Sequence, residues 1–478
     1  MDFIHFVSLG CPKNLVDSEV MLGLLAQAGF AFVADPNDAS IIIVNTCAFI
    51  EDAKKEAVDT IFEMAEFKKK GTCRMLVVAG CLPQRYEKEL VSLLPEVDLF
   101  IGAGEFFRIA ELLKPPHPLP EKGRGPLGAL RPLPSGERVE GEGKTQVVVE
   151  KPVYLYDHAT PRILVTPPHA AYIKIAEGCF HPCSFCIIPQ IRGGYRSRTI
   201  DSIVEEALKM FTRGVREINL IAQDTTAYGR DLKDGDNLER LLTQLAHLEG
   251  DKWIRLLYAY PHHFPENIIH VMREYSEVCP YLDIPIQHIS QRILASMKRE
   301  GDASEIMALI SRLRVDIPGL FLRTSVIVGY PGETDQEFDE LLDFISWAKF
   351  DHLGAFPFSA EEGTKAATLE NPVPPGVVKQ RYHEIMSLQQ EISSFKNSQH
   401  VGKVMQVLVE KKIKEGKYGF RARHAGQAPD IDGLVFIDRG KAKEGEFALV
   451  RIKESQAYDL IADIVSPEAV LRDQKGLL

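Results

Sequence analysis

The 478-residue sequence predicts an α/β protein with three folded parts: an N-terminal open parallel α/β sheet, a central partial (β/α)6 barrel, and a C-terminal small antiparallel β-barrel. Three observations predict this. Strand-like and helix-like runs alternate from Phe3 to about Leu113, and the alternation resumes from Ala171 after a gap rich in Pro and Gly. Beyond a charged helical run ending near Gln399, only short strand-like runs remain. Apolar residues make up 45% of the chain and charged residues 26%, as in ordinary globular domains. The start, Met-Asp-Phe-Ile-His-Phe-Val, has no basic n-region or long apolar h-region, and no window is long enough for a membrane span, so a cytoplasmic location is expected. In that reducing compartment the eight cysteines are expected to be ligands or free thiols. A net charge of −11 argues against a non-specific nucleic-acid binder, though a local basic patch remains compatible with it.

In residues 1–113 the expected strands are Phe3 to Leu9, Ile41 to Val44, Met75 to Ala79 and Leu99 to Ile101, with helical patterns at Val16 to Ala28, Glu51 to Phe67 and Tyr86 to Leu94. Three strands end alike, in Leu9-Gly10-Cys11, Asn45-Thr46-Cys47 and Ala79-Gly80-Cys81. Ligands of open α/β sheets gather outside the carboxyl ends of the strands, so Cys11, Cys47 and Cys81 are candidates to converge on one metal cluster. The competing reading is three small buried hydrophobes. Cys73 and Cys279 have no such setting and read as incidental thiols. Residues 114–151 are rich in Pro and Gly without an apolar period, which reads as a disordered linker or insertion.

The span 152–395 carries the expected barrel strands Tyr172 to Ala176, Glu217 to Ala222, Ile254 to Tyr260, Tyr281 to Ile286, Phe321 to Gly329 and His352 to Phe356. Ser202-Ile-Val-Glu205 and Thr334-Asp-Gln-Glu337 read as capping boxes opening two of the intervening helices. Six strands fall short of a closed eight-stranded barrel, so an open one is expected, with its site at the C-terminal strand ends. After the first strand come Cys179, Cys183 and Cys186, three soft ligands in eight residues, which suit zinc or an iron–sulfur cluster. No fourth cysteine closes the site, and His181 lies too near in the loop to serve easily. The open position argues for chemistry over a purely structural zinc loop.

Polar groups at other strand ends are candidate cofactor contacts: Gln223, Asp224, Thr225 and Thr226, Asp283 with Gln287 and His288, and Arg323 with the turn Gly329-Tyr-Pro-Gly332-Glu333. Arg323 could clamp a carboxylate, and the glycines allow close backbone approach. Arg192, Arg196 and Arg198 flank the cysteine loop and could meet phosphates or an acidic substrate, or form a solvated face. Tyr258, Tyr260, His262 and His263 read as packing and loop residues. Five short strands within 396–466 (Val404 to Glu410, Tyr418 to Ala422, Leu434 to Ile437, Phe447 to Ile452, Leu460 to Val465) make the terminal barrel, and 467–478 a tail.

The Cys-x-x-x-Cys-x-x-Cys spacing after a barrel strand resembles the radical S-adenosylmethionine enzymes. Ser8-Leu-Gly-Cys11-Pro-Lys-Asn-Leu-Val-Asp-Ser-Glu19, Asn45-Thr-Cys47-Ala-Phe-Ile50 and Gly80-Cys81-Leu-Pro-Gln-Arg85 resemble the N-terminal domain of their methylthiotransferase branch, and the last barrel resembles the TRAM substrate-recognition module. The resemblance implies two 4Fe-4S clusters. One, on Cys179, Cys183 and Cys186, would bind S-adenosylmethionine and generate a 5'-deoxyadenosyl radical; a second, on Cys11, Cys47 and Cys81, would carry or donate sulfur. It also implies that the 114–151 segment is longer than usual for the family.

Gln223-Asp-Thr-Thr-Ala-Tyr-Gly229 and Gln427-Ala-Pro-Asp-Ile-Asp-Gly433 look like the branch that methylthiolates the β-carbon of an aspartate in small-subunit ribosomal protein S-twelve. The implied partners are that protein or its subunit, a reductant such as flavodoxin or ferredoxin, and a sulfur donor. A tRNA-adenosine methylthiotransferase, and a non-enzymatic iron–sulfur carrier or sensor with an RNA-binding tail, are the alternatives. From Lys396 to Asp463 there are 13 basic and 10 acidic side chains, too even a balance to choose between protein and tRNA. Asp430, Asp432 and Asp438 are expected near one loop, where they could steer a basic protein.

Overall fold

The computed structural model describes residues 2–114 and 145–468. The chain forms two compact units, Met1–Val165 with Ile187–Gly194, and Thr166–Cys186 with Tyr195–Leu478. No helix among the described residues is long and apolar enough to cross a membrane.

The first unit is built on six parallel strands: β1 (Phe3–Ser8), β2 (Ala31–Phe32), β3 (Ile41–Thr46), β4 (Met75–Gly80), β5 (Leu99–Gly102) and β6 (Gln146–Val148), in the order β2-β1-β3-β4-β5-β6. β3 and β4 are buried almost throughout, which is why their sequences, Ile-Ile-Ile-Val and Leu-Val-Val-Ala, show no alternation. Helices α1 (Pro12–Gln27), α2 (Glu51–Lys70) and α3 (Cys81–Leu93) follow β1, β3 and β4. α2 turns Ala57, Ile61, Met64 and Ala65 inward at helical spacing, and its acidic first turn and Lys68-Lys69-Lys70 ending complement the helix dipole. The strand order reverses between β1 and β3, and this topological switch point opens a crevice at their carboxyl ends.

Most of the expected linker lies outside the described residues, but its end at 151 is corrected. Gln146–Val148 is the sheet's sixth strand, paired from Leu99 to Ile101. The following residues also belong to this unit: Glu19, wholly buried on α1, is held by Arg162 Nε at 2.9 Å and by the backbone N–H of Val165 at 2.8 Å.

In the second unit, β7 (Ala170–Lys174) leads into a two-stranded ribbon of β8 (Ala176–Glu177) and β9 (Arg196–Ser197), which brackets the cysteine loop. With β7, strands β10 (Glu217–Ile221), β11 (Trp253–Leu256), β12 (Val278–Asp283), β13 (Phe321–Val328) and β14 (His352–Pro357) form a parallel sheet in chain order, the expected partial barrel. The Thr334 capping box is present. The Ser202 box is not: the helix Ile200–Thr212 is capped by Thr199, and the Ser202 hydroxyl is engaged by Arg198.

The terminal strands β15 (Val404–Lys412), β16 (Phe420–His424), β17 (Val435–Arg439), β18 (Phe447–Ser455) and β19 (Leu460–Ile464) close a barrel around Val407, Val409, Ala422, Val435, Val450 and Leu460. Its pairs are antiparallel except β17 with β19. Charged groups join this barrel to the amino ends of the parallel strands. Glu217, at the start of β10, accepts from Arg255 Nε at 2.8 Å and Arg423 Nη2 at 2.5 Å, and all three are fully buried. Arg423 also reaches Glu410 at 2.6 Å, and Arg255 donates to the Ala425 carbonyl.

Candidate metal and cofactor centres

The loop Cys179–Cys186 leaves its three thiols partly accessible, while the residues between them anchor it. His181 Nε2 meets Asp224 Oδ2 at 2.7 Å, and its ring stacks on Tyr260 at 3.9 Å. Arg299 covers the other part of that column, 4.5 Å from the Tyr260 centroid, and directs Nη1 toward Cys183 Sγ at 3.9 Å. Ser184 bonds Met297 O through its N–H and Ser296 O through its hydroxyl, and Phe185 packs against Ile293, Met297, Tyr330 and Ala366. The anchors through His181, Ser184 and Phe185 all belong to residues between the cysteines. Burial pushes the Cys179 thiol up to about 11, a backbone bond at His181 resists this, and neighbouring Cys183 adds to it.

Of the expected cofactor residues, the structure brings Gln223 and Asp224 to this loop. Asp224 holds His181, and its carbonyl accepts from Tyr195 at 2.7 Å; Gln223 Nε2 donates to Glu177 at 2.8 Å beside the Lys174–Glu177 pair. Arg323 is not brought there. It is the third residue of β13, with Nη1 on Asp432 at 2.7 Å, so it belongs to the junction with the terminal barrel. Glu333 is spent internally: fully buried, it accepts from Gly329 N–H and Arg381 and meets His288. Gly329 answers to packing, since at φ +75° a Cβ there would lie 2.4 Å from Val378. Gly332, at φ +78°, supplies the same turn with a carbonyl for Arg292.

Reading Arg192 and Arg198 as part of a solvated or phosphate-binding face is also corrected, because both are buried, whereas Arg196 is half-buried. Arg198 is held by Glu206, Lys174 O and Ser202. His262 and His263 lie on a loop, as expected, and line an open cleft of about 370 Å³, where His262 meets Glu305 at 3.1 Å. The expected acidic steering loop shrinks, with Asp432 neutralised by Arg323 and Asp438 paired with Lys453 at 2.8 Å.

In the first unit the three strand-end cysteines converge at the switch-point crevice. Cys11 caps α1, Cys81 is the first residue of α3, and Cys47 follows β3. Gly10 and Gly80 have φ of +91° and +98°; a Cβ on Gly10 would come 2.7 Å from Cys47 Cβ, and one on Gly80 2.4 Å from Asn45 Oδ1. Glycine before Cys11 and before Cys81 is therefore dictated by the sign of φ and by space. Asn14 ties the loops, its Nδ2 donating to Leu9 O at 2.6 Å and Thr46 O at 3.3 Å. Arg85 holds Ala48 O at 2.8 Å.

Burial pushes the Cys81 thiol up to about 12 against the pull of Arg192, and it raises Cys47, as does Cys11. Such thiols are weak free nucleophiles. Three soft sulfurs whose charges oppose one another suit a strongly cationic partner such as an iron–sulfur cluster, so both cysteine sets fit the group their spacing implies.

Residues 3–102 match the Uncharacterized protein family UPF0004, 173–345 the Radical SAM superfamily and 401–465 the TRAM domain. Over 97% of this chain and 98% of its own length, the ribosomal protein uS12 methylthiotransferase RimO of Geotalea uraniireducens is 46% identical. This chain belongs to the RimO family. The RimO of Geobacter sulfurreducens is 45% identical over the same shares of both chains. Among solved structures, the radical S-adenosylmethionine methyltransferase TsrM from Kitasatospora setae superposes with a TM-score of 0.53 at 15% identity, covering 74% of this chain and 73% of its own. The cobalamin-dependent S-adenosylmethionine radical enzyme OxsB gives 0.52 at 13%, covering 82% and 56%. At these identities the two structures bear on the fold, which they share with the RimO family chain described here.

Proposed function

We propose that this chain replaces a hydrogen on the β-carbon of an aspartate in ribosomal protein uS12 with a methylthio group, using Cys179, Cys183 and Cys186 for one 4Fe-4S cluster and Cys11, Cys47 and Cys81 for a second. One observation carries the reading: the chain holds both cysteine sets in a sequence that matches uS12 methylthiotransferases over 97% of its length. A cluster with S-adenosylmethionine supplies, when bound, one-electron cleavage to a carbon radical able to take hydrogen from an unactivated C–H bond.

The protein's own part is orientation. The His181–Tyr260–Arg299 column and the Ser184 and Phe185 anchors hold the loop that carries the three thiols. Arg299 offers Cys183 a charge-assisted hydrogen bond, and Asp224 fixes His181. In the net change the carbon's hydrogen leaves in 5'-deoxyadenosine, formed with methionine from one S-adenosylmethionine whose cleavage is the two-electron oxidant for the new C–S bond. The sulfur, drawn from a sulfide source, takes its methyl group from a second S-adenosylmethionine, which leaves as S-adenosylhomocysteine. A flavodoxin- or ferredoxin-like reductant would supply the electron that starts the cleavage, and C–S bond formation gives one electron back.

The test offers reduced enzyme, S-adenosylmethionine and sulfide separately to the ribosomal protein and to unmodified tRNA, and weighs both products. Mass gain of one SCH3 in place of H on the protein is expected. Modified adenosine in the tRNA beside unmodified protein would assign the substrate to RNA instead.

A further inference from the structure

Arg192 ends the short helix Ile188–Arg192 and, although charged, is only 3% exposed. Ile187 and Ile191, each 1% exposed, anchor this helix in the first unit's core. The guanidinium donates Nη1 to Asp17 Oδ2 at 2.5 Å, and Nη2 to Asn14 Oδ1 at 3.2 Å and Cys81 Sγ at 3.3 Å. Asn14, whose amide nitrogen holds the carbonyls before both the Cys11 and Cys47 loops, thus gives its oxygen to the side chain that reaches the third thiol. Asp17 sits one helical turn further along α1, which Cys11 caps, and balances the buried charge.

We propose that Arg192 is the positioning residue of the Cys11–Cys47–Cys81 centre, setting its reduction potential by donating a hydrogen bond to the Cys81 sulfur. This rests on the reading of those three cysteines as ligands of a second cluster. Reduction places an added electron largely on iron and sulfur, and donors aimed at the sulfurs stabilise it; removing one therefore moves the potential negative. Asp17 cancels much of the guanidinium's distant field, so the effect is local to the bond at Sγ. A residue that served only to fill space would leave the potential unmoved.

The experiment uses the full chain with Cys179, Cys183 and Cys186 all changed to Ala, reconstituted anaerobically so that only the second cluster contributes. Iron per chain, the paramagnetic signal of the reduced state and the midpoint potential are measured for this parent and for Arg192→Gln and Arg192→Lys added to it. With iron retained, a negative shift is expected in both, beyond the spread of replicate titrations. If Gln loses iron, Lys carries the test, because it keeps a cation against Asp17 while withdrawing the second nitrogen from Cys81. Retained iron with an unchanged potential overturns the inference. So does loss of iron in both variants, which would make Arg192 a residue of the fold. A parent without iron would instead overturn the second-cluster reading itself.

Discussion

Changing Glu217 to Gln should loosen the junction between the parallel strands and the terminal barrel. Glu217, Arg255 and Arg423 are 0% exposed, and with Glu410 they form a balanced set of two acids and two bases. The amide removes one negative charge and leaves a guanidinium facing an N–H donor. Breaking a buried pair from one side costs about 3–5 kcal/mol, because the remaining charge stays desolvated. With a urea slope of roughly 3 kcal/mol/M, the midpoint should fall by about 1–2 M. The readout is built in: of the two tryptophans, Trp253 lies 4.9 Å from Phe447 of the terminal barrel, so Trp347→Phe leaves a reporter at this junction.

Adding Arg423→Met to Glu217→Leu should recover part of the loss, since the Arg255–Glu410 remainder is again balanced. Burial alone would raise the Glu217 carboxyl, but Arg423 and Arg255 override it and hold the group at about 2. A depressed acid stabilises the fold above its unfolded value, near 4.3, and loses that contribution as pH falls toward 2. The native chain and Glu217→Gln should therefore converge in stability across that window and stay apart at neutral pH. A midpoint within about 0.2 M of the native chain at pH 7, or a double variant no better than the single, would refute the argument.

Single Cys179→Ala, Cys183→Ala or Cys186→Ala should abolish release of 5'-deoxyadenosine, since two local thiolates cannot hold a cluster with an open iron; turnover surviving in any of them would remove that assignment. Replacing Cys11, Cys47 and Cys81 together should take away about half the iron and all sulfur insertion while deoxyadenosine formation persists. Unchanged iron would return these thiols to the status of core residues. Gly10→Ala combines a left-handed penalty of about 1–2 kcal/mol with a contact at 2.7 Å to Cys47, and should lower iron at that centre and the melting temperature. A variant loading iron like the native chain would show that the loop can relax.

The strand-end cysteines were legible because their signal is local: three strand-like runs, two of them buried almost throughout, each followed by a cysteine, two of these after a glycine. Cys179, Cys183 and Cys186 were legible for the same reason, lying within one loop. The supports were not. Arg299 is 116 residues from Cys183, Arg192 is 111 from Cys81, and Asp432 is 109 from Arg323. Nothing in a lone arginine tells which distant chain it meets. Arg323 could be placed on its strand, but which end of the barrel its side chain served depended on a loop of another barrel. Gln146–Val148 is too short for its three residues to show a period, so the Pro- and Gly-rich composition before it masked a strand.

That sixth strand changes what the intervening sequence is topologically. The helix Ile109–Leu113 before it and β6 after it both belong to the first unit, and Gln146 N–H is bonded to Asp98 O at 2.8 Å. Both flanks of that stretch thus lie in one and the same unit, and the strand after it pairs in the sheet to which β5 belongs. On its far side the chain is fastened to the first unit by the ladder of Leu99–Ile101 with Gln146–Val148. The chain changes unit instead after Val165, Cys186 and Gly194, so the segment that follows the three-cysteine loop, Arg192 included, is returned to the unit of Cys11, Cys47 and Cys81.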